Sequence, residues 1–457
     1  MAKQRWSRVA CAALFATLWQ GSAPAGAAVS RTGEVVALLT AANAGLSAAD
    51  RAEKYAAMKA SPFAFFRGSN PLFWHDLATS PELGRYGGTS ATRTFLCGDL
   101  HTDNFGSFDD DQDDLVYAIN DFDEAVIGDY QLDLWRGAVS VVLVARANGL
   151  ARSVQASALD AFTEAYLDAM ASYATSSAEV SRKVTAANSY GLLDDFLRQV
   201  AADQSRVQML NHWTVKVAGV RRLNTANDPD LAAVSASVDA DVRSAMTAYR
   251  ATLSGGTSFP SSFFAVKSVA QRLHAGLGSL GSPRYYVLIE GATSVQDDDR
   301  ILDLKAQSLP SAAAYLPAAV WAQTQAVSGG DQALRTVQAA KALGYRVDDL
   351  LGYLHLSDGR AYSVRERSPH KATFDVTTLT TSTRLLNLAA QWGDLLATGH
   401  ARADRDWNPS VFPASLDAEI DALTDGDHAG ARALIRTLAT DYADQVELDY
   451  ASFVARF

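Results

Sequence analysis

The stretches FLCGDLHTDNFGSF (residues 95–108) and YAINDFDEAVIGDYQLDLWR (117–136) crowd carboxylates, a histidine and an asparagine into two turns. Each turn follows a strand-like apolar run, TRTFLC in the first case and DLVYAI in the second. Asp99 would emerge at a strand end, with Asn104 five residues on and Asp121 at the end of the next strand. One neutral oxygen and one carboxylate suit Mg²⁺, which takes few protein ligands and keeps its other positions for water and phosphate. Asn104 and Asp121 are therefore the candidate metal ligands, and Asp99 is left to orient or deprotonate a hydroxyl. Asp and Asn are also ordinary turn formers, and an Asp-x4-Asn spacing on its own identifies nothing.

Around this centre the chain is an ordinary globular one. At 457 residues it is too long for one small core, so two or three packed lobes are expected. Apolar residues make up 48% and charged residues 20%, a folded and not a disordered balance. The net charge is −11 and no Lys/Arg block interrupts the chain. That argues against nucleic acid as the main partner, since neutralising phosphates needs a basic surface; a local basic pocket for a phosphate ligand is still compatible with it.

Residues 1–28 read as a secretory signal peptide: Lys3, Arg5 and Arg8 precede the apolar VACAALFATLW, and APAGAA offers cleavage near Ala27 or Ala28. The apolar run is shorter than the roughly 20 residues of a spanning helix. The expectation is an exported protein, periplasmic or secreted, without stable membrane insertion after cleavage. Removal of the leader leaves Cys97 as the one cysteine, which rules out an intramolecular disulfide. Cys97 sits in an apolar run and reads as a small buried hydrophobe.

Residues 29–92 show helical spacing and then an aromatic segment, SPFAFFRGSNPLFW, broken by Pro and Gly. Residues 93–253 hold the two turns, long amphipathic helices from Leu132 to Ala174, and a helical insertion over 176–253. SGGTSFPSS (254–262) is the best linker in the chain, and 263–370 turns to strand texture with helix at 311–343 and a hairpin at 347–366. Residues 371–457 return to helix, at 378–401 and over the tail. The composite is α+β, mostly helical with a small antiparallel sheet.

GDLHTDN with NDFDEAVIGDYQLDL resembles the catalytic and metal loops of the aminoglycoside and choline kinase-like branch of the protein kinase superfamily. The resemblance implies a two-lobed kinase-like fold. In it Asp99 is the catalytic aspartate, Asn104 and Asp121 hold Mg²⁺, and Asp133 is a buttress on the next helix. Asp123 stands where that branch carries a small residue; Asp123 and Glu124 read as further ligands or, preferred here, as solvent-facing or buttressing groups. Trp135 and Phe122 read as packing.

A kinase needs a nucleotide-gripping lobe, and the roughly 70 residues between leader and Asp99 do not read as one. The glycine turn Gly276-x-Gly278-x-x-Gly281 comes later, followed by a strand pair and by Lys305 in LDLKAQS. Glycines let backbone N–H groups approach phosphates, and a strand lysine adds charge; a dinucleotide fingerprint would need a helix, not a strand, directly after it. LLNLAAQWGDLLATGHARAD resembles the helix that leads into the catalytic loop of these kinases. The order then reads as a circular permutation, which requires residues near His400 to lie against Arg93–Gly98. The motifs in sequence, from KYAAMKASPFAFFRGSNPLFW to GHARAD, resemble the bacterial family catalogued as domain of unknown function 2252, over roughly residues 50–405.

Other positions carry two readings. Arg67 would bind an anion or pair with a buried carboxylate. Arg365 and Arg367 share one strand face, so that one could reach the site, although surface placement is the preferred reading, and His400 reads as a helix-end or core histidine in preference to a catalyst. Between Glu290 and Glu366 there is no glutamate to pair with Lys305; Gln338 or Asp331 is the available stand-in. Two functions follow. One is a phosphotransferase using Mg²⁺ and ATP or another nucleotide on a hydroxyl of a small molecule or protein. The other is an exported kinase-like protein without catalysis, binding a ligand or partner in the same cleft.

Overall fold

The computed structural model describes residues 30–254, 258–274, 276, 278 and 280–457, so the stretch 1–28, read from sequence as a signal peptide, lies outside the described residues. Helices α1 (Arg31–Ala42), α2 (Ala48–Met58), α3 (Pro62–Gly68) and α4 (Asn70–Leu77) come first. Strands β1 (Arg93–Leu96), β2 (Phe105–Asp109), β3 (Leu115–Ile119) and β4 (Val126–Asp129) lead into the long helices α5 (Gln131–Ala147) and α6 (Arg152–Tyr173). Next are α7 (Leu192–Asp203), α8 (Arg206–Trp213), β5 (Thr214–Val217), β6 (Val220–Leu223), β7 (Leu231–Ala233) and α9 (Ala236–Thr252). The strands β8 (Val266–Arg272), β9 (Arg284–Ile289) and β10 (Arg300–Ala306) precede α10 (Ala318–Ser328) and α11 (Gln332–Leu343). The chain closes with β11 (Gly352–His355), β12 (Ala361–Glu366), β13 (Ala372–Thr373), α12 (Ser382–Arg402), α13 (Leu416–Thr424) and α14 (His428–Arg456). The protein is α+β, as its sequence texture suggests, with small antiparallel sheets among mostly helical elements. Among the described residues no helix is long and apolar enough to cross a membrane.

The largest sheet has six antiparallel strands in the order β11-β12-β10-β9-β8-β7. Period-two alternation decides what each face does. Leu302 and Leu304 on β10, Val287 on β9 and Val364 on β12 pack towards α9, where they meet Val242, Met246 and Tyr249. The other face is apolar at one end, with Ile301, Tyr286 and Leu288 against Trp213 of α8. At its other end it is charged: Lys305 lies opposite Arg284 and Ser363, and Asp303 opposite Arg365. The strands thus present a row of ionic groups to one side of the molecule.

Residues 176–253 were expected to be helical, and they are so only in part. A hairpin, β5–β6, and strand β7 interrupt them, and β7 joins the edge of the large sheet at β8. The aromatic segment at 61–74, read as broken, falls within α3 and α4, each with a proline in its first turn where the missing N–H costs nothing.

The helical core is built around α5, α6, α12 and α14. Gly393 of α12 lets that helix lie directly on α6: a Cβ there would stand 2.0 Å from the carbonyl oxygen of Phe162. The end of α12 rests on β1, where the Thr94 hydroxyl donates to the carbonyl oxygens of His400 (3.2 Å) and Ala403 (2.9 Å). His400 itself is fully buried, its Nδ1 3.0 Å from the Tyr166 hydroxyl, a core histidine as read.

Candidate functional site

Strand β1 ends in a turn that only glycine can make. Gly98 has φ of +78°, and a Cβ on it would stand 2.0 Å from the carbonyl oxygen of Glu124. The first turn of α5 holds this corner. Asp133 accepts from the backbone N–H groups of Cys97 (2.6 Å) and Gly98 (3.0 Å), the buttress role expected of it. The carbonyl oxygen of Gly98 accepts from Asn70 Nδ2 and from the Trp74 indole. One helical turn beyond Asp133, Arg136 grips Asp99 itself: Nε donates to Asp99 Oδ1 at 2.8 Å, and Nη2 bonds the same oxygen. Arg136 is almost wholly buried, with its guanidinium over the rings of Phe66 and Phe73.

Asp99 therefore has one oxygen engaged and the other, Oδ2, 3.9 Å from His101 Nε2. Burial pushes its carboxyl up to about 7 against the pull of Arg136, and the nearby carboxylates of Glu124 and Asp121 add to the rise. Burial also holds His101 well below the usual imidazole range, with Arg67 and Arg136 adding to the effect, so it is neutral. Asn104 donates from Nδ2 to the carbonyl oxygen of Asp99 at 2.7 Å, which leaves Oδ1 as the atom a metal would use. Cys97 is buried, its thiol raised well above the ordinary value by burial, and is no nucleophile.

Asp121 follows β3 and faces the charged end of the large sheet. Its Oδ2 is 3.7 Å from Lys305 Nζ. Burial opposes its ionisation, but Lys305, then Arg365 and Lys371, outweigh it and hold the carboxyl down at about 2. Lys305 is also ion-paired to Asp123. Asp123 Oδ1 accepts from Gln307 Nε2 at 2.8 Å. Glu124 accepts from Asn70 (3.1 Å) and the backbone N–H of Ser311 (2.6 Å), a buttressing position.

The ion-pair partners of Lys305 are thus Asp121 and Asp123 and neither of the stand-ins expected from sequence, Gln338 or Asp331. Asp331 caps α11, accepting from the N–H groups of Ala333 and Leu334, and pairs with His355. What α11 offers to the lysine strand is Thr336, whose hydroxyl donates to Gln307 Oε1 at 3.1 Å. The carboxylates beside Lys305 come instead from the loop after β3, two residues apart. A helix N-cap has its oxygen committed to its own first turn, which is why Asp331 cannot serve.

Asp99, Asn104, Asp121, Lys305, Gly276 and Gly278 all line one cleft of about 1030 Å³ between the charged end of the sheet and the β1–β4 loops. The segment from β8 to β9 that carries the glycines reaches the N-terminal helices: His274 pairs with Glu53, and a Cβ on Gly281 (φ +83°) would meet Leu46 at 2.8 Å. Gly281 is therefore a packing glycine. Gly278 has nothing within 4 Å of a Cβ position and faces open space.

Further residues line the cleft; the sequence singles out Arg365, Arg367 and Arg67, with surface placement preferred for the first two, but not Arg284, Lys371 or Lys54. Arg284 is engaged in both hands by Asp303. Arg365 Nη1 donates to the carbonyl oxygen of Asn120 at 2.7 Å, and Arg367 lies beside it on the cleft wall, so both members of that strand face reach the site. Lys371 sits among them; burial, then Arg365 and Arg284, push its amine well below the lysine range. Lys54, its amine lowered by burial, lines the opposite wall near Glu124 and Asp99. Arg67 pairs with Asp103 at 2.8 Å, which decides between its two readings. Only Arg136 had a local signal, since it shares a helix face with Asp133. Lys54 and Arg284 stand inside stretches that carry the family resemblance but had no role assigned to them there, and Lys371 belongs to no motif.

The site is a large polar cleft of an α+β protein, with carboxylates on one wall and a cationic row on the other. The chain belongs to the family described as uncharacterized proteins conserved in bacteria (DUF2252), which it matches over residues 49–456. Neither a curated protein nor a solved structure matches it.

Proposed function

We propose that this protein is a kinase-like phosphotransferase that uses Mg²⁺ and ATP, or another nucleotide, to phosphorylate a hydroxyl group, with the two lobes in permuted order. The observation that carries the reading is the convergence of Asp99, Asn104, Asp121 and Lys305 on one cleft, from segments about 200 residues apart. The packing of the α12 end on β1 is the contact that permutation requires, and it supports that part of the reading.

In this reading Asn104 Oδ1 and the Asp121 carboxylate hold the metal, and Asp121 stays ionised at any physiological pH. A magnesium ion held there supplies charge neutralisation on phosphate oxygens. Lys305 and Arg365 provide fixed cationic stabilisation on the same side, where positioned charge in a desolvated site is most effective. Asp99 turns its free Oδ2 towards the acceptor hydroxyl and orients it or accepts its proton, while Arg136 fixes the carboxylate plane through Oδ1. Gly276 and Gly278, which line the cleft, would offer a close backbone approach to phosphates.

The alternative, an exported kinase-like protein that binds without catalysis, is favoured by one feature. Lys305 is ion-paired to Asp123 and near Asp121, so a nucleotide must compete with carboxylates for its ammonium. The leader over residues 1–28 makes export part of both readings, and finding the mature N-terminus near Ala28 in a periplasmic or secreted fraction tests it.

The decisive measurement is thermal stability of the mature chain with ATP, GTP or ADP, with and without Mg²⁺. A Mg²⁺-dependent rise that disappears in Asp121→Ala is expected. No rise with any of the three nucleotides would sink both the nucleotide site and the activity. If the rise is present, phosphate transfer to a hydroxyl acceptor pool is measured next. Transfer abolished in Asp99→Ala supports the enzyme; nucleotide binding without transfer supports the alternative.

A further inference from the structure

Outside the cleft lining, a second group of carboxylates has no ion-pair partner among the described residues. Glu179, in the loop after α6, has no exposed surface, and neither of its carboxylate oxygens has a hydrogen-bond partner. Asp404 is 1% and Asp417 5% exposed, and Asp406 lies at the surface of the same cluster. The carboxylates of Glu179 and Asp406 meet within hydrogen-bonding reach, with Asp417 close behind them. Neither carboxylate can donate, so a proton or a cation belongs between them. Among the described residues none of the four acids has an ion-pair partner. The neighbouring Arg402 donates to main-chain carbonyl oxygens, those of Glu179, Arg182 and Leu343. An uncompensated buried carboxylate is costly, and still more so beside others.

The local sequence suits a cation. DRDWNP (404–409) sets Asp404, Asp406 and Asn408 at alternate positions where α12 ends, with α13 beginning after Ser415. This is the spacing with which calcium loops between two helices begin. Asp404 Oδ1 accepts from the N–H of Asp406 (2.8 Å), and Asn408 Oδ1 from that of Ser410 (3.0 Å). The pattern departs from a calcium loop at its sixth position, Pro409, and its twelfth, Ser415, where a bidentate glutamate is usual. Glu179 brings the missing glutamate from a distant part of the chain.

We propose that Glu179, Asp404, Asp406 and Asp417 form a divalent-cation site separate from the cleft, with calcium as the ion. Calcium takes several carboxylate oxygens in irregular geometry, whereas magnesium demands a near-octahedral shell and keeps its waters. No three of these carboxylates converge within 4.8 Å, so binding draws the exposed Asp406 inward. Glu164, Asp168 and His428 do converge within that distance, but there Glu164 is already paired with Arg432 and Asp168 is exposed. None of the four proposed ligands lines the cleft, so the site stands or falls independently of the nucleotide reading.

The test uses the mature full-length chain at constant ionic strength. Calcium chloride should raise the melting temperature by several degrees and saturate, with magnesium chloride much weaker. Glu179→Gln should lose that response, and without calcium it should be at least as stable as the wild type, because it removes an unpartnered charge. Asp121→Ala should keep the response. Terbium added in place of calcium should luminesce on tryptophan excitation, since Trp407 lies inside the loop; Trp407→Phe should dim the emission without changing the calcium response. Absence of a saturable calcium effect would overturn the site. So would a Glu179→Gln protein that answers calcium like the wild type, or a calcium response lost in Asp121→Ala.

Discussion

Asp99 and Arg136 define the site at the scale of single residues. A carboxylate at a buried strand end favours its neutral form, and the arginine pulls the other way; the outcome is a group poised near neutrality, where a base is most useful. If Asp99 is the base, activity should rise with pH through about 7, because the ionised form accumulates as pH passes that value. Arg136→Met removes the group that lowers this value, so the rise should move to higher pH and kcat should fall while the KM for nucleotide holds. Loss of a buried charge partner should also cost about 3 kcal/mol in chemical denaturation. A pH–rate profile identical in variant and wild type would exclude Asp99 as the titrating base. The motif made Asp99 legible from sequence. It carried no trace of the engaged Oδ1, which depends on how α5 is set against β1.

At the scale of elements, the helical core and the sheet are each positioned by close approaches. Gly393 brings α12 onto α6 with no room for a methyl group, and the end of α12 in turn supports β1. Gly393→Ala must push the two helices apart, and a loss of about 3 kcal/mol is expected in urea denaturation. The nucleotide-induced stabilisation should survive at temperatures where the variant is folded, since Gly393 lies outside the cleft. An unchanged unfolding midpoint would contradict the close approach. The helices of 382–402 and 416–456 could be read from their apolar spacing, as could the hairpin at 352–366. The β5–β6 hairpin and β7 could not. Their strands are short and leave Val215, Val217 and Val220 exposed, so they bury little apolar surface of their own, and β7 exists because β8 offers it an edge.

The whole molecule places its cleft where independently packed cores meet. The loops holding Asp99, Asn104 and Asp121 rest on the helical core, while Lys305, Arg284 and Arg365 stand on the large sheet. A nucleotide with Mg²⁺ that binds as proposed must touch both walls. Amide hydrogen exchange should then slow together in residues 97–104 and in the β9–β10 strands when ATP and Mg²⁺ are added, and in neither when Asp121 is alanine. Protection confined to one wall would point to binding without the phosphotransfer geometry.

The sequence by itself determined the α+β class, the placing of Asp99, Asn104 and Asp121 in turns at strand ends, and the presence of a lysine-bearing strand. These depend on residues a few positions apart, where backbone geometry alone links spacing to direction. Only the tertiary structure decided that Lys305 meets Asp123 and not a residue of α11, that Arg67 meets Asp103, and that Lys371 and Arg284 line the cleft. It also decided that Glu179 is buried against Asp406. Pairings of this kind join segments up to hundreds of residues apart. They are selected by the packing of the cores beneath them, for which no local pattern in the chain is a substitute.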